Sequence, residues 1–282
     1  MQILSEFLNK TPTKTLYHYT NAIGLLGILE GRIWASSAYH LNDSGEFRYA
    51  TSLIAERVQQ RLKAENRAVN KKYDEVLYVL QEMPHPIQVY VASFSEEGDL
   101  LSQWLTYPRA QTGYAIGLSP QQFDLARTDG FQLVPCVYDR QEQYRLADAI
   151  IDAWLELSSS GEDFERAMQE NILTAAAAIK HPGFEQEAEW RLIKIEVVGA
   201  GQSKSVSFRP GRNGLVPYLR APLTPDSECL KPASIHIGPN EDMQAATAAL
   251  LTLLDAKSFF PSNSLFPIPG VPVICSKTPY RP

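Results

Sequence analysis

Hydrophobic positions along the chain recur at two spacings, about two residues in some stretches and three to four in others, and the switches mark out strands and helices. Residues 13–19 read as a short strand. Thr20 or Asn21 can cap a following helix whose apolar stripe is Ile23, Leu26 and Leu29, with Leu25 flanking, and Gly31 fits the left-handed position that ends it. Residues 32–36 predict a second strand. A polar loop over 39–46 carries Asn42-Asp43-Ser44-Gly45, and Phe47, Ala50, Ile54, Val58 and Leu62 then repeat at helical spacing. A second helix is expected over 73–80, closed by Pro84 and Pro86.

The β-branched and aromatic run 87–95 predicts a strand, with 113–118 as its partner. Ser119-Pro120 supplies an N-cap and a first-turn proline for a short helix. Residues 131–138 predict a further strand, and helices are expected over 142–157 and 163–180, stopped by His181-Pro182-Gly183. Strands follow at 189–198, 205–209, 215–220, 234–237 and 271–276, with a helix over 241–256. Strands and helices intermix without a regular βαβ rhythm, which favours an α+β fold over a doubly wound parallel sheet. With no internal repeat or low-complexity linker, the simplest organisation is a single domain over 1–282 with a helical insertion around 140–182.

Composition narrows the function classes. The chain has 282 residues, 44% hydrophobic and 21% charged, as an ordinary globular protein does. A net charge of -6 gives no general pull toward phosphate backbones, though a local basic groove remains compatible with it. Cys136, Cys229 and Cys275 are far apart and odd in number, which indicates neither a disulfide framework nor a zinc knuckle. The N-terminus lacks the basic start and apolar run of a signal peptide, and the best apolar stretch, 245–254, is too short to span a bilayer. The expectation is a cytoplasmic protein without a membrane segment.

Single residues carry little on their own. In a strand, Glu189, Arg191, Ile193, Ile195 and Val197 share one side, so the face turns from charged to apolar and Glu189 lies at a core-to-cleft boundary. A carboxylate there can do acid–base or ion-stabilising work; a solvent-facing Glu–Arg pair is the plainer reading. His18 shares a side with Leu16 and Thr20, opposite Tyr17 and Tyr19, and alone reads as a hydrogen-bonded core histidine. Asn42, Asp43 and Glu46 read by default as helix-capping residues. Trp104, near Ser102 and Gln103, can stack on a planar ligand or anchor a core. No G-x-S-x-G, P-loop, H-E-x-x-H or G-x-G-x-x-G pattern occurs, which withdraws support from four common enzyme classes.

Taken in order, these pieces resemble an uncharacterised family of bacterial proteins. The elements are Tyr17-His18-Tyr19-Thr20, the helix ending at Gly31, Trp34-Ala35-Ser36-Ser37, then Leu41-Asn42-Asp43 with Glu46. Ser93-Phe94-Ser95, Trp104, Gly113, Glu187 with Glu189-Trp190-Arg191, Gly238-Pro239, and Ser276 with Tyr280-Arg281 continue the series. Leu41 stands where the family has an aromatic, and Ser44 where it has proline. The opening strand, helix and strand with a late glutamate-bearing strand are in turn similar to ADP-ribosyltransferases, including toxins that modify nucleic acid.

That resemblance implies split, mixed or antiparallel sheets and NAD as substrate. By it Glu189 is the catalytic glutamate and His18 the ribose-binding residue, with Trp34 or Tyr39 stacking on nicotinamide. Tyr19, Ser36, Asn42, Asp43, Trp104 and Arg191 are further cofactor-binding candidates, and no metal is implied. The implied activity is ADP-ribosyl transfer to RNA, DNA or protein, as a bacterial toxin or phage-defence effector with an inhibitor or antitoxin partner. Two rivals stand beside it. One is a catalytically inert module that binds a nucleotide, RNA or a protein. The other is a metal-dependent hydrolase using Asp43, Glu46 and Glu189.

Overall fold

Ten strands form one sheet with helices against both of its faces, in a computed structural model that describes residues 2–38, 44–64, 87–107, 112–156, 162–197, 205–211, 214–226, 228–259 and 270–279. In chain order the elements are α1 (Gln2–Leu8), β1 (Leu16–Asn21), α2 (Ala22–Leu29), β2 (Arg32–Ser37), α3 (Ser44–Ala64) and β3 (Ile87–Ser95). Next come α4 (Leu101–Thr106), β4 (Gly113–Leu118), a 3-10 turn (Pro120–Phe123), α5 (Asp124–Thr128), β5 (Gln132–Pro135), α6 (Arg140–Glu156) and α7 (Glu162–Ala177). A second 3-10 turn (Pro182–Glu187) leads to β6 (Glu189–Val197), then β7 (Ser207–Gly211), β8 (Gly214–Pro222), β9 (Ser234–Ile237), α8 (Met243–Ala256) and β10 (Val273–Cys275). The fold is α+β, and the described pairings are antiparallel except β9 with β10.

β3 organises the sheet because both of its faces are apolar. Val89 and Val91 face the front, where α1, α3, α6 and α7 pack, while Tyr90, Ala92 and Phe94 face the back with residues of α2, α5 and α8. One edge of β3 pairs with β6 along its full length, from Ile87 opposite Val197 to Ser95 opposite Glu189. The other edge is shared: β1 meets it at Ser95, and β2 meets it at Val91 and Tyr90. Between those points, at Ala92 to Phe94, neither strand pairs with it. β1 continues into β4, β9 and β10, and β2 into β8 and β7, so the sheet divides into two wings at this gap.

Several expectations met the structure with differences. The helix after β1 is capped by the Asn21 side chain, which accepts from the Gly24 amide at 3.0 Å, and Gly31 has φ +89°. Its buried face, however, is Leu25, Ile28 and Leu29; Ile23 and Leu26 are exposed. The segment 113–118 is a strand, but it pairs with β1 and β9 rather than with β3. Ser119 is the N-cap of the 3-10 turn that Pro120 opens, as expected, and its amide donates to the Gln122 side chain at 2.8 Å. The expected helix over 73–80 lies outside the described residues. Among the described residues, no helix is long and apolar enough to cross a membrane.

Candidate functional site

A recess opens on the front face where β1, β3 and β6 come together, lined by Tyr17, Tyr19, Ser93, Phe94, Ser95, Gln103, Tyr107 and Glu189. Strand alternation produces most of this lining. The register places Tyr17 opposite Ser95 and Ser95 opposite Glu189, so all three point to the front. α4 contributes buried Gln103, and exposed Tyr107 follows that helix. The recess holds an empty volume of about 220 Å³ including its mouth.

The chain is led into β6 by a folded-back turn. The 3-10 segment Pro182–Glu187 ends at Ala188, whose φ of +41° is uncommon for a residue with a Cβ. Ser95 fixes that turn: its hydroxyl donates to the Glu187 carbonyl at 2.7 Å and accepts from the Glu97 amide at 3.0 Å. Glu189 then enters with its amide donating to the Tyr138 hydroxyl at 2.9 Å.

Glu189 is 5% exposed and is held by two cations. Arg191 Nε donates to its Oε1 at 2.7 Å, and the Lys180 ammonium donates to its Oε2. Lys180 also donates to Glu187 Oε2 at 2.5 Å, and Arg191 Nη1 donates to the Ala177 carbonyl at the end of α7, at 2.6 Å. Burial alone would raise the Glu189 pKa, but Arg191 and Lys180 overcome it and bring it down to about 2. The group is therefore ionised throughout the neutral range. It can accept hydrogen bonds and stabilise a developing cation, and it has no proton to donate.

His18 stands on the opposite side of the sheet. Leu16 faces the back core and Tyr17 the front recess, so alternation puts His18 with Phe94, whose ring centroid is 5.6 Å away. It reaches into the gap between β1 and β2, where its Nδ1 lies 2.9 Å from the Ser93 carbonyl. A carbonyl only accepts, so Nδ1 carries the proton in this bond and Nε2 of the neutral ring is an acceptor. Burial lowers the His18 pKa, and the Ser93 carbonyl offsets that in part.

The other expected site residues divide into groups. Tyr19 joins the recess; its hydroxyl donates to the Glu97 carbonyl at 2.7 Å and accepts from the Leu100 amide at 3.0 Å. Arg191 lies behind the recess as an ion partner of Glu189. Trp104 is buried as a wedge, edge-on to Tyr19 at 4.6 Å, with its indole N–H given to Asp99 at 2.8 Å. Trp34 and Ser36 are on β2, across the gap: Trp34 is exposed on Tyr218, and the Ser36 hydroxyl accepts from Arg209 at 3.1 Å. Tyr39, Asn42 and Asp43 lie outside the described residues. The structure thus brings Tyr19, Glu189 and Arg191 together with Trp104 packed against Tyr19, sets His18 on the other face, and leaves Trp34 and Ser36 apart from them.

Three contributors escaped the sequence reading: Lys180, Gln103 and Tyr107. Lys180 sits beyond a helix and just before His181-Pro182-Gly183, and no local spacing ties it to Glu189. The signal was the turn itself, since a Pro-Gly stop directly before a strand folds the helix end back over the strand entry.

One family, described as "Protein of unknown function (DUF2971)", matches residues 103–192. The matched segment runs from α4 to Leu192 in β6, and so includes Trp104, Lys180, Glu187, Glu189 and Arg191, while β1 and β2 fall outside it. No curated protein matches the chain, and no solved structure does.

Proposed function

We propose that the chain is an ADP-ribosyltransferase that takes NAD as substrate and transfers its ADP-ribosyl group to a macromolecule, with Glu189 as the catalytic carboxylate. The observation that carries this reading is a buried carboxylate, ionised at neutral pH, in the lining of a recess. Cleaving nicotinamide from ribose builds oxocarbenium charge, which an ionised carboxylate against a ribose hydroxyl stabilises without a proton transfer of its own. Within this reading Tyr17, Tyr19 and Tyr107 supply the aromatic walls, and His18 holds the β1 bank through Ser93. A bacterial toxin or phage-defence role, with an antitoxin partner in the cytoplasm, goes with it.

The test is nicotinamide release from labelled NAD by the full chain, compared with Glu189→Gln under conditions where unfolding curves show both to be folded. Release that falls at least about a hundredfold in the variant is the expected result. Undiminished release removes Glu189 from catalysis.

A second reading is favoured by a different observation. Both Glu189 oxygens already hold a cation, and of the recess only about 10 Å³ admits a water-sized sphere, far below the roughly 300 Å³ where ligand pockets commonly begin. An inert module with a structural ion cluster fits these two facts. It predicts thermal stabilisation by a nucleotide with no nicotinamide above background.

A further inference from the structure

The wing formed by β2, β8 and β7 carries an aromatic platform on its front face. Trp34 is 42% exposed and lies on Tyr218, with ring centroids 4.6 Å apart and an interplanar angle of 33°. Tyr218 is itself buried, so one side of the indole is backed by protein while the other meets solvent. Such a ring can take a nucleic-acid base on its open side, because every base has a π-face.

Arginines surround it on the same side of the sheet. Arg220 is the cross-strand partner of Trp34 and is exposed. Arg209, on β7, sends Nη2 to the Ser36 hydroxyl at 3.1 Å, while its Nε is buried with no hydrogen-bond partner. Arg32 shares the face two residues from Trp34 and is paired to exposed Asp226. Among the described residues, three arginines and one carboxylate share this face, a local excess of positive charge on a chain of net charge -6.

We propose that this face binds single-stranded nucleic acid, with a base stacked on Trp34 and phosphates held by Arg220 and Arg209. Unpaired bases are required, since a duplex keeps its π-faces stacked inside. Resting on the transferase reading for its role, the strand is the acceptor: β2 borders the same gap as β1, and Trp34 and Glu189 both face the front. A strand laid on Trp34 therefore runs along the face that holds the recess.

The experiment is fluorescence anisotropy of the full chain, without NAD, against labelled single strands of about 12 nucleotides at about 50 mM salt. RNA and DNA form separate arms, so the sugar preference is read directly. Binding is expected to weaken with salt. Trp34→Ala should weaken it about 5- to 100-fold while Trp34→Phe retains most of it. Arg220→Ala, a change at an exposed position, should reduce the slope of log K against log salt by about 0.7.

No binding by either strand overturns the proposal, as do equal affinity for a blunt duplex and Trp34→Ala and Arg220→Ala values matching wild type. Competition by polyglutamate as effective as that by oligonucleotide overturns it in favour of an acidic polypeptide. The two readings fail separately. Strand binding without nicotinamide release leaves this face standing and removes the transferase; nicotinamide release without strand binding does the reverse.

Discussion

Replacing Glu189 with glutamine tests the ion cluster on which the site depends. Lys180, Glu187, Glu189 and Arg191 set two cations against two carboxylates, and Lys180, Glu189 and Arg191 are all buried. Glutamine keeps the side-chain volume, so no cavity is made, but it removes the negative charge that Lys180 and Arg191 both face. A Glu189 pKa brought from 4.5 to about 2 corresponds to about 3 kcal/mol of folding stability at neutral pH. Breaking a buried pair by removing one partner costs about 3–5 kcal/mol, an independent figure of the same size. Urea unfolding at pH 7 should therefore show a lower midpoint at unchanged slope. Lys180→Met should cost a similar amount. The double variant should lose less than the two single losses together by at least about 1 kcal/mol, because both changes break the same Lys180–Glu189 pair. Because the folded pKa is depressed, the contribution is present above about pH 4.5 and is lost as pH falls toward about 2, so Glu189→Gln should also flatten the acid limb. A loss within about 0.5 kcal/mol, as at a surface site, would refute the reasoning.

Two further outcomes follow from the gap and its flanks. Gly31→Ala places a Cβ at φ +89° and against the Thr224 hydroxyl, so it should cost about 1–3 kcal/mol and lower the calorimetric melting temperature by several degrees; a melt coincident with wild type would show the turn to be free of strain. His18 has a folded pKa below its ordinary 6.5, so stability present above that value should fall as pH is lowered through it, and His18→Gln should make the fall shallower by at most about 1.4 kcal/mol per pH unit, leaving the part due to His236, which is shifted the same way. An NMR titration placing His18 at or above 6.5 would contradict this.

What could be read from the sequence follows the range of the signal. β3 was legible because both faces of its middle are covered, which writes the unbroken apolar run Val89-Tyr90-Val91-Ala92 into the chain. The common side of Glu189 and Arg191 was legible because alternation is local. The buried side of α2 was not, since AIGLLGIL has no polar residue to mark its outer face. The partner of β4 was not either, because 113–118 and 87–95 have compatible patterns and only the route of the chain decides that β4 joins β1. Lys180 was hidden for a related reason: its place beside Glu189 depends on the turn through Pro182–Glu187 and Ala188, not on sequence spacing.

The cation pairing of Glu189 bears on how it would act within the transferase reading. Each carboxylate oxygen has two lone pairs, and each of the two contacts with Arg191 and Lys180 takes one. A ribose hydroxyl can therefore still donate to Glu189 without displacing either cation. The negative charge, however, is largely cancelled by Lys180 and Arg191, and a balanced cluster projects a weaker field than a lone carboxylate. Stabilisation of an oxocarbenium would then depend more on a hydrogen bond that strengthens in the transition state than on net charge. That dependence separates the variants. Glu189→Gln offers its amide oxygen but loses the charged acceptor, so chemistry should fall. Lys180→Met keeps the acceptor and raises the local negative charge, so nicotinamide release per folded molecule should hold or rise even as stability drops. In a purely structural cluster both variants would change stability alone, with no nicotinamide to measure.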